Sequence, residues 1–252
     1  MKPRTEGELL AKVERVLDGE AYDPTEMAEG FAELKLDPKR QLRRVHALLA
    51  MLPWSECPFL TSQGRNIYPF RMTAADVHVG DVAASLSRIC RFNGHILAPG
   101  RIYSVAEHSV RGARRLRERG AAPLLQLAFL MHDGSEAYWG DIVRPIKKHP
   151  IFLLLEPYME RTQECIHEAV GLPPRAHLLD EVVKMDDLLA MTECRDITAV
   201  GDIKGREALF THLQEPDGTV ITPWEIAETE EAFLSLFHEL LAALDRNVMP
   251  PA

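Results

Sequence analysis

The sequence predicts an all-α fold, and three observations support that prediction. Apolar residues recur with a period of about 3.6 residues, which marks one face of a helix, as in residues 6–17. Helix-start and helix-stop signals flank such segments, with Asp37-Pro38 before one and Gly171 after another. Strand signals are sparse, and residues 66–71 and 219–222 predict one short hairpin at most.

The helical segments follow one another along the chain. We predict helices over residues 6–17, 38–52, 77–89, 104–116, 123–140, 150–171, 179–197 and 224–244. The segment 53–72, which contains prolines and a glycine, separates the first two helices from the rest. We therefore divide the chain into a helical N-terminal extension over residues 1–60 and a second domain over residues 61–252. The extension is interpreted as extra cover for the core, in preference to a docking arm or an oligomerisation element.

The composition limits the classes of function. The 252 residues carry a net charge of −9, which disfavours stable nucleic-acid binding because such binding depends on Lys and Arg at phosphates. The four cysteines form no CxxC pair, so a cysteine zinc site is not expected. Their wide spacing and the lack of a signal peptide predict a cytoplasmic protein with free thiols. No apolar run reaches the ~18–20 residues of a membrane span, so no membrane partner is expected.

The most informative segment is Met131–Glu136, which follows the apolar run 124–130. Burying polar side chains without partners is costly, so adjacent His132 and Asp133 in such a segment need something that satisfies them. A helix turns by about 100° per residue, which would place His132, Asp133 and Glu136 on one side. Two metal-capable side chains and a spare carboxylate predict a metal-assisted hydrolase.

Four residues have the types that bind a divalent metal: His108, His132, Asp133 and Asp186. Imidazole and carboxylate together suit one transition metal, Mn, Co, Fe, Ni or Zn, rather than Ca, and Mg is a further candidate. Four protein ligands leave positions in an octahedral shell for water or phosphate oxygens. An open position is what a catalytic metal needs.

This ordered set resembles the H…HD…D pattern of the HD-domain superfamily of metal-dependent phosphohydrolases. The strings around it are similar to the 5′-deoxynucleotidase branch, which removes phosphate from deoxynucleoside monophosphates with a divalent metal. They also resemble phage and bacterial HD proteins, some of which release tripolyphosphate from deoxynucleoside triphosphates. The resemblance covers roughly residues 73–200, and its strings are Tyr103–Ser109, His132–Ala137, Gly140-Asp141 and Pro145–Lys147.

The resemblance implies an HD-domain helical bundle over residues 61–252 and a role for each matching residue. Glu136 would orient or deprotonate the attacking water, and Asp141 would protonate or position the leaving 5′-oxygen. Lys147 would balance phosphate charge. Arg91 would hold the phosphate in a bidentate fork and Phe92 would pack on the sugar or base. The metal ligands it implies are His108, His132, Asp133 and Asp186.

Several assignments have rivals within the sequence. Asp187 competes with Asp186, which is preferred because one residue and then a Leu- and Ala-rich run follow it. Arg88 competes with Arg91 for phosphate. Glu193 and Asp196 would brace either Arg195 or the site. The remaining histidines are not expected to be ligands: His149 and His167 are interpreted as surface residues, and His95 as a residue at the pocket entrance.

The leading function is hydrolysis of the 5′-phosphate ester of deoxynucleoside monophosphates. The first alternative is a triphosphohydrolase, for which Arg88, Arg91, Arg101, Arg144, Lys147 and Lys148 are the candidate cations. A non-catalytic module that senses a nucleotide is the alternative from another class. A cyclic-dinucleotide phosphodiesterase is disfavoured because no GYP-like motif accompanies the set. By analogy with related enzymes, we expect a homo-oligomer that takes a small nucleotide as its partner.

Overall fold

The computed structural model describes residues 8, 11, 57–98, 100–147, 152, 155–198, 211–212 and 214–248. Apart from residues 8 and 11, these belong to one compact unit, Trp54–Ala252. Of the predicted extension over residues 1–60, only residues 8, 11 and 57–60 are described, so its helix over residues 38–52 and most of the helix over residues 6–17 lie outside the described residues. The division at residue 60 therefore stays a prediction.

The described part of the chain is built of helices, which confirms the all-α prediction. It contains eight α-helices, which we label α1 (Val79–Leu86), α2 (Val105–Glu118), α3 (Pro123–Leu130), α4 (Glu136–Trp139), α5 (Arg144–Lys147), α6 (Glu156–Val170), α7 (Asp180–Ile197) and α8 (Ile226–Val248). Local signals explain several ends. Ser104 caps α2 by accepting a hydrogen bond from the Glu107 N–H, and Gly171 ends α6 in the left-handed conformation.

The short hairpin within the described residues pairs residues 66–67 with a different segment from the one predicted. Strand β1 (Phe59–Leu60) pairs antiparallel with β2 (Asn66–Ile67), whereas residues 219–222 form no strand. The N–H groups of the latter segment bond carboxylates instead, Thr219 to Asp217 at 2.7 Å and Ile221 to Asp196 at 2.8 Å. These side-chain partners replace a ladder.

The predicted continuous helix over residues 123–140 is wrong. Helix α3 ends at Leu130, a turn follows over Met131–Ser135, and the short α4 begins at Glu136. In an unbroken helix the Ser135 N–H would bond the Met131 carbonyl. Here both groups bond the side chain of Gln163, so His132 and Asp133 lie in a turn rather than on a helix face.

The core lies between α2, α3, α7 and α8, with α1 packed against α8 and α4. Helices α2 and α3 approach closely at Gly112, where a Cβ atom would lie 2.0 Å from the Phe129 ring. Only glycine leaves room for that ring, and the approach brings His108 on α2 opposite His132. Among the described residues, no helix combines the length and the apolar character that crossing a membrane requires.

Candidate active site

Two buried histidines form the centre of the site. His108 lies one turn into α2 and His132 in the turn after α3, and their ring centroids are 5.2 Å apart. His108 is 0% exposed and His132 is 9% exposed. The Phe129 ring contacts both imidazoles, so aromatic packing fixes the two rings against each other.

In each imidazole, one ring nitrogen faces a hydrogen-bond acceptor, and the other has no hydrogen-bond partner among the described residues. Nδ1 of His108 lies 2.5 Å from Glu193 Oε1, and Nδ1 of His132 lies 2.6 Å from the Phe129 carbonyl oxygen. Both partners accept, so the ring proton of a neutral imidazole resides on Nδ1. Both Nε2 atoms are buried and have no hydrogen-bond partner among the described residues.

Two carboxylates face these bare nitrogens. Asp186 Oδ1 lies 3.2 Å from His108 Nε2 and 3.9 Å from His132 Nε2, outside hydrogen-bond geometry. Asp133 Oδ2 lies 3.2 Å from His132 Nε2. The structure therefore brings together all four residues that the sequence nominated as metal ligands.

The rival Asp187 faces the other way. Its carboxylate accepts the backbone N–H groups of Thr211 and His212, at 3.0 and 2.7 Å, and pairs with Arg144. Asp186 alone of the adjacent pair points at the histidines. The direction of each side chain on α7 therefore distinguishes Asp186 from Asp187, which the sequence could distinguish only by the residues that follow them.

The donor set fits a divalent metal ion. His108, His132 and Asp133 have ligand atoms within 4.8 Å of one another, and buried bare Nε2 atoms are otherwise costly. Burial and Arg91 lower the pKa of His108, but Glu193 and Asp186 outweigh them and raise it to about 9. The carboxylates that favour a proton on Nε2 also favour a metal cation there. Burial acts to raise the pKa of Asp133, yet His132 holds it well below its usual value.

A cavity of about 330 Å³ opens beside this cluster. Asp133 and Asp186 form part of its wall, so a metal held by the four residues would face the cavity. The other residues proposed for chemistry or substrate binding also line it: Arg91, Phe92, Glu136, Asp141 and Lys147. Ile142, Val143 and Ala190 supply an apolar part of the wall.

Glu136 has one occupied and one bare carboxylate oxygen. Lys147 Nζ donates to Oε1 at 2.7 Å, while Oε2 is buried without a partner in the described part of the chain. Burial raises the pKa of Glu136 well above the usual value and Asp133 raises it further, although Lys147 opposes them. Burial also raises the pKa of Asp141, against the attraction of Arg91. Burial therefore favours the protonated form of both carboxyl groups.

Arg91 and Arg88 have different surroundings. The Arg91 Nε group donates to Glu193 at 3.0 Å and its Nη1 lies 3.4 Å from Asp133, so the guanidinium lies against the ligand cluster. Arg88 pairs with Glu230 at 2.7 Å and does not line this cavity. Phe92 lies on the cavity wall in a left-handed backbone conformation, with φ of 54°.

Comparison with known proteins shows a family without assigning an activity. No family model matches the chain. The uncharacterized protein YfdR of Escherichia coli is 36% identical over 141 residues, which cover 70% of that protein and 54% of this chain. The chain belongs to the YfdR family. An uncharacterized protein of Rhodobacter capsulatus is 27% identical over 193 residues, covering 94% of that protein and 72% of this chain.

Sequence reasoning underrated two residues of this YfdR-family site. Glu193 contacts both His108 and Arg91 and so braces the site, whereas Asp196 pairs with Arg195. Glu193 follows Asp186 by seven residues, two helical turns on one face of α7, which is the signal that could have found it. Arg144 bonds Asp186 Oδ2 at 2.5 Å and Asp187 Oδ1 at 2.7 Å.

The histidine assignments contain one error. His167, expected on the surface, is 1% exposed and lies beside His177, with ring centroids 5.1 Å apart. Its place on α6 packs it inward, because the apolar period of that helix continues through it. His95 is exposed, and His149 lies outside the described residues. The free thiols expected from the cysteine spacing are present at all four cysteines.

Proposed function

We propose that the chain is a metal-dependent phosphohydrolase that acts on deoxynucleotides and hydrolyses the 5′-phosphate ester of deoxynucleoside monophosphates. One observation carries the proposal. Two buried imidazoles turn bare Nε2 atoms toward two carboxylates, and this cluster adjoins a cavity that holds two protonatable carboxyl groups and three cationic side chains. Cytoplasmic location and homo-oligomeric state stay predictions of the sequence.

His108, His132, Asp133 and Asp186 would hold the metal. A divalent ion supplies Lewis-acid polarisation of a phosphoryl oxygen and lowers the pKa of a water molecule that it binds. Glu193 and the Phe129 carbonyl keep the Nδ1 protons in place, so that both Nε2 lone pairs point inward.

Glu136 is placed to act as the general base. Its bare Oε2 can accept a proton from the attacking water, and its raised pKa makes it a stronger base than an ordinary glutamate. Lys147 holds Oε1 and so fixes the orientation of the carboxyl group. Asp141, whose pKa burial raises, can carry a proton to the leaving 5′-oxygen.

The charges along the cavity favour a monophosphate. The lining contains three cations, Arg91, Arg144 and Lys147, and four carboxyl groups, Asp133, Glu136, Asp141 and Asp186. With one divalent metal bound and all four carboxyl groups ionised, the lining carries a charge of about +1, which attracts a phosphate dianion and offsets part of its charge. A triphosphate would leave an excess of negative charge. Phe92 and the apolar wall at Ile142 and Val143 would contact the nucleoside.

Turnover of a nucleotide panel tests the proposal. Deoxy- and ribonucleoside mono- and triphosphates are incubated with Mn²⁺, Co²⁺ or Mg²⁺, and the products are separated. We expect metal-dependent release of inorganic phosphate from deoxynucleoside monophosphates, with none from the Asp133→Ala variant. Tripolyphosphate from deoxynucleoside triphosphates would favour the triphosphohydrolase instead. Absence of turnover with metal bound would favour the sensing module.

A pair of glutamate variants separates chemistry from folding. Glu136→Gln removes the base and keeps the shape, so kcat should fall by about 100-fold or more while metal binding persists. Glu239→Gln makes the same change on α8, where Glu239 pairs with Arg117 on the surface. It should leave kcat unchanged. Equal kcat in Glu136→Gln and the wild type would remove Glu136 from the mechanism.

A further inference from the structure

The turn that carries His132 and Asp133 is held open by one side chain from another helix. The Gln163 amide on α6 takes the place of the helical hydrogen bond between Ser135 and Met131. Its Oε1 accepts the Ser135 N–H at 2.9 Å, and its Nε2 donates to the Met131 carbonyl at 2.7 Å. A side chain inserted into the i→i−4 ladder breaks a helix at that point.

His167 completes the environment of this amide. Gln163 Nε2 donates its second hydrogen to His167 Nε2, 2.9 Å away. The amide thus makes three hydrogen bonds, to Ser135, Met131 and His167. Burial and the neighbouring His177 lower the pKa of His167 to about 4, so the ring is neutral at pH 7 and Nε2 can accept. Gln163 itself is 2% exposed. The amide therefore has a single satisfied orientation.

The packing of α6 supports the same turn on its other side. A Cβ atom on Gly134 would lie 3.0 Å from Ile166 Cδ1 and 3.0 Å from the Met131 carbonyl oxygen. The turn thus lies directly against α6 between Gln163 and Ile166. Thr162 on the same helix accepts a hydrogen bond from Trp139, which fixes the far end of α4.

His167 and His177, together with Glu164, have the residue types of a second metal site, but the ring proton of His167 lies on the nitrogen that a metal would need. Glu164, His167 and His177 have potential ligand atoms within 4.8 Å of one another. Because His167 Nε2 accepts from Gln163, the proton of the neutral ring resides on Nδ1, the atom that faces the cluster. Glu164 Oε1 already accepts the Arg175 N–H at 2.9 Å. The pair therefore serves Gln163 rather than a metal.

We propose that Gln163 is a positioning residue that sets the metal affinity of the site by holding the Met131–Ser135 turn open. The inference rests on the proposed function, because it assigns His132 and Asp133 to the metal. Without the amide, Ser135 can bond Met131 directly and the turn can close into a helix. His132 and Asp133 would then change their relative direction, and His132 Nε2 and Asp133 Oδ2 would not keep the 3.2 Å separation that the turn gives them.

Cobalt binding tests the inference through a matched pair of variants. Gln163→Met keeps the length of the side chain and removes all three hydrogen bonds. Gln126→Met makes the same change at a glutamine that is also buried, but which bonds Arg117 and the Ala121 carbonyl away from the turn. We expect Co²⁺ affinity to fall by about 10- to 100-fold in Gln163→Met, the range seen for outer partners of metal ligands. Gln126→Met should stay within about twofold of the wild type.

The visible spectrum of bound Co²⁺ provides a readout that lost stability alone would not change. Gln163→Met should alter the ligand-field bands, and Gln126→Met should not. If Gln163→Met does not fold, Gln163→Glu replaces it: the carboxylate still accepts from Ser135, and affinity and bands should shift in the same direction. Wild-type affinity and bands in the folded Gln163 variant would overturn the inference but leave the proposed function intact. Wild-type protein that binds no Co²⁺ would overturn both.

Discussion

The described part of the chain contains two pairs of neighbouring histidines, and one of these pairs has the hydrogen-bond partners that suit a metal site. In the pair His108 and His132, the outer nitrogens, Nδ1 of each ring, face a carboxylate and a carbonyl oxygen. The neutral rings therefore present lone pairs at their inner nitrogens, the Nε2 atoms that face the cluster. In the pair His167 and His177, the outer nitrogen of His167 is Nε2, and it faces the amide donor of Gln163 instead of an acceptor. That one difference places a proton on the inner nitrogen of His167.

The contrast shows that residue type and proximity do not define a metal site. Both clusters contain two histidines and a carboxylate within 4.8 Å. What separates them is the hydrogen-bond partner of the ring nitrogen that points away, since it fixes the tautomer. We therefore propose the first pair as metal ligands and the second pair as the partner that orients the Gln163 amide.

Removing the outer acceptor of one pair should have the largest effect. Glu193→Ala leaves the Nδ1 proton of His108 without its acceptor and Arg91 without its main charge partner. We expect Co²⁺ affinity to fall by about 10- to 100-fold in calorimetric titrations. Glu160→Ala is the matched control, because Glu160 lies 3.3 Å from the outer nitrogen of His177. A similar loss of affinity in both variants would contradict the distinction between the pairs.

A smaller change at the helix contact should separate the first pair. Gly112→Ala places a methyl group against the Phe129 ring, so α2 and α3 must move apart and His108 must move away from His132. Overpacking of this kind costs about 1–3 kcal/mol, and urea denaturation should show it. Metal affinity should fall in the same variant. Gly120→Ala is not a suitable control, because Gly120 has φ of 78°, a backbone conformation that alanine strains. Ala113→Gly, on α2 beside Gly112, is the control for stability that is lost without overpacking.

The smallest predicted effect concerns the pH dependence of stability at the second pair. His167 has a folded-state pKa of about 4, below the usual 6.5, so between these values the unfolded chain binds a proton that the folded chain does not. Stability should therefore fall as pH drops from 6.5 to 4. His167→Gln keeps an acceptor without this titration. The wild type should lose at least about 1 kcal/mol more than the variant over this window. Parallel pH profiles would show that His167 is not held neutral.

The helices were largely predictable from the sequence because their signals are local. The cap at Ser104, the stop at Gly171 and the apolar period of α7 all act within a few residues. The break after Leu130 was not predictable, since it depends on Gln163, which lies 28 residues from Ser135. The hairpin partner was missed for a similar reason, because Asp217 and Asp196 accept the N–H groups of Thr219 and Ile221.

The residues of the site were predictable from the sequence, but the ring nitrogen that carries the proton in each histidine was not. The order His108, His132-Asp133 and Asp186 nominates residues that the fold brings together. The sequence does not show which ring nitrogen of each histidine is free. That depends on Glu193, 85 residues from His108, and on the carbonyl of Phe129.

Metal stoichiometry distinguishes the two histidine pairs. Wild type, His132→Ala and His177→Ala are loaded with Co²⁺ at equal concentration, desalted and analysed for metal per chain. We expect one ion in the wild type, none in His132→Ala and one in His177→Ala. A second ion in the wild type that is lost in His177→Ala, or an ion retained in His132→Ala, would contradict this expectation.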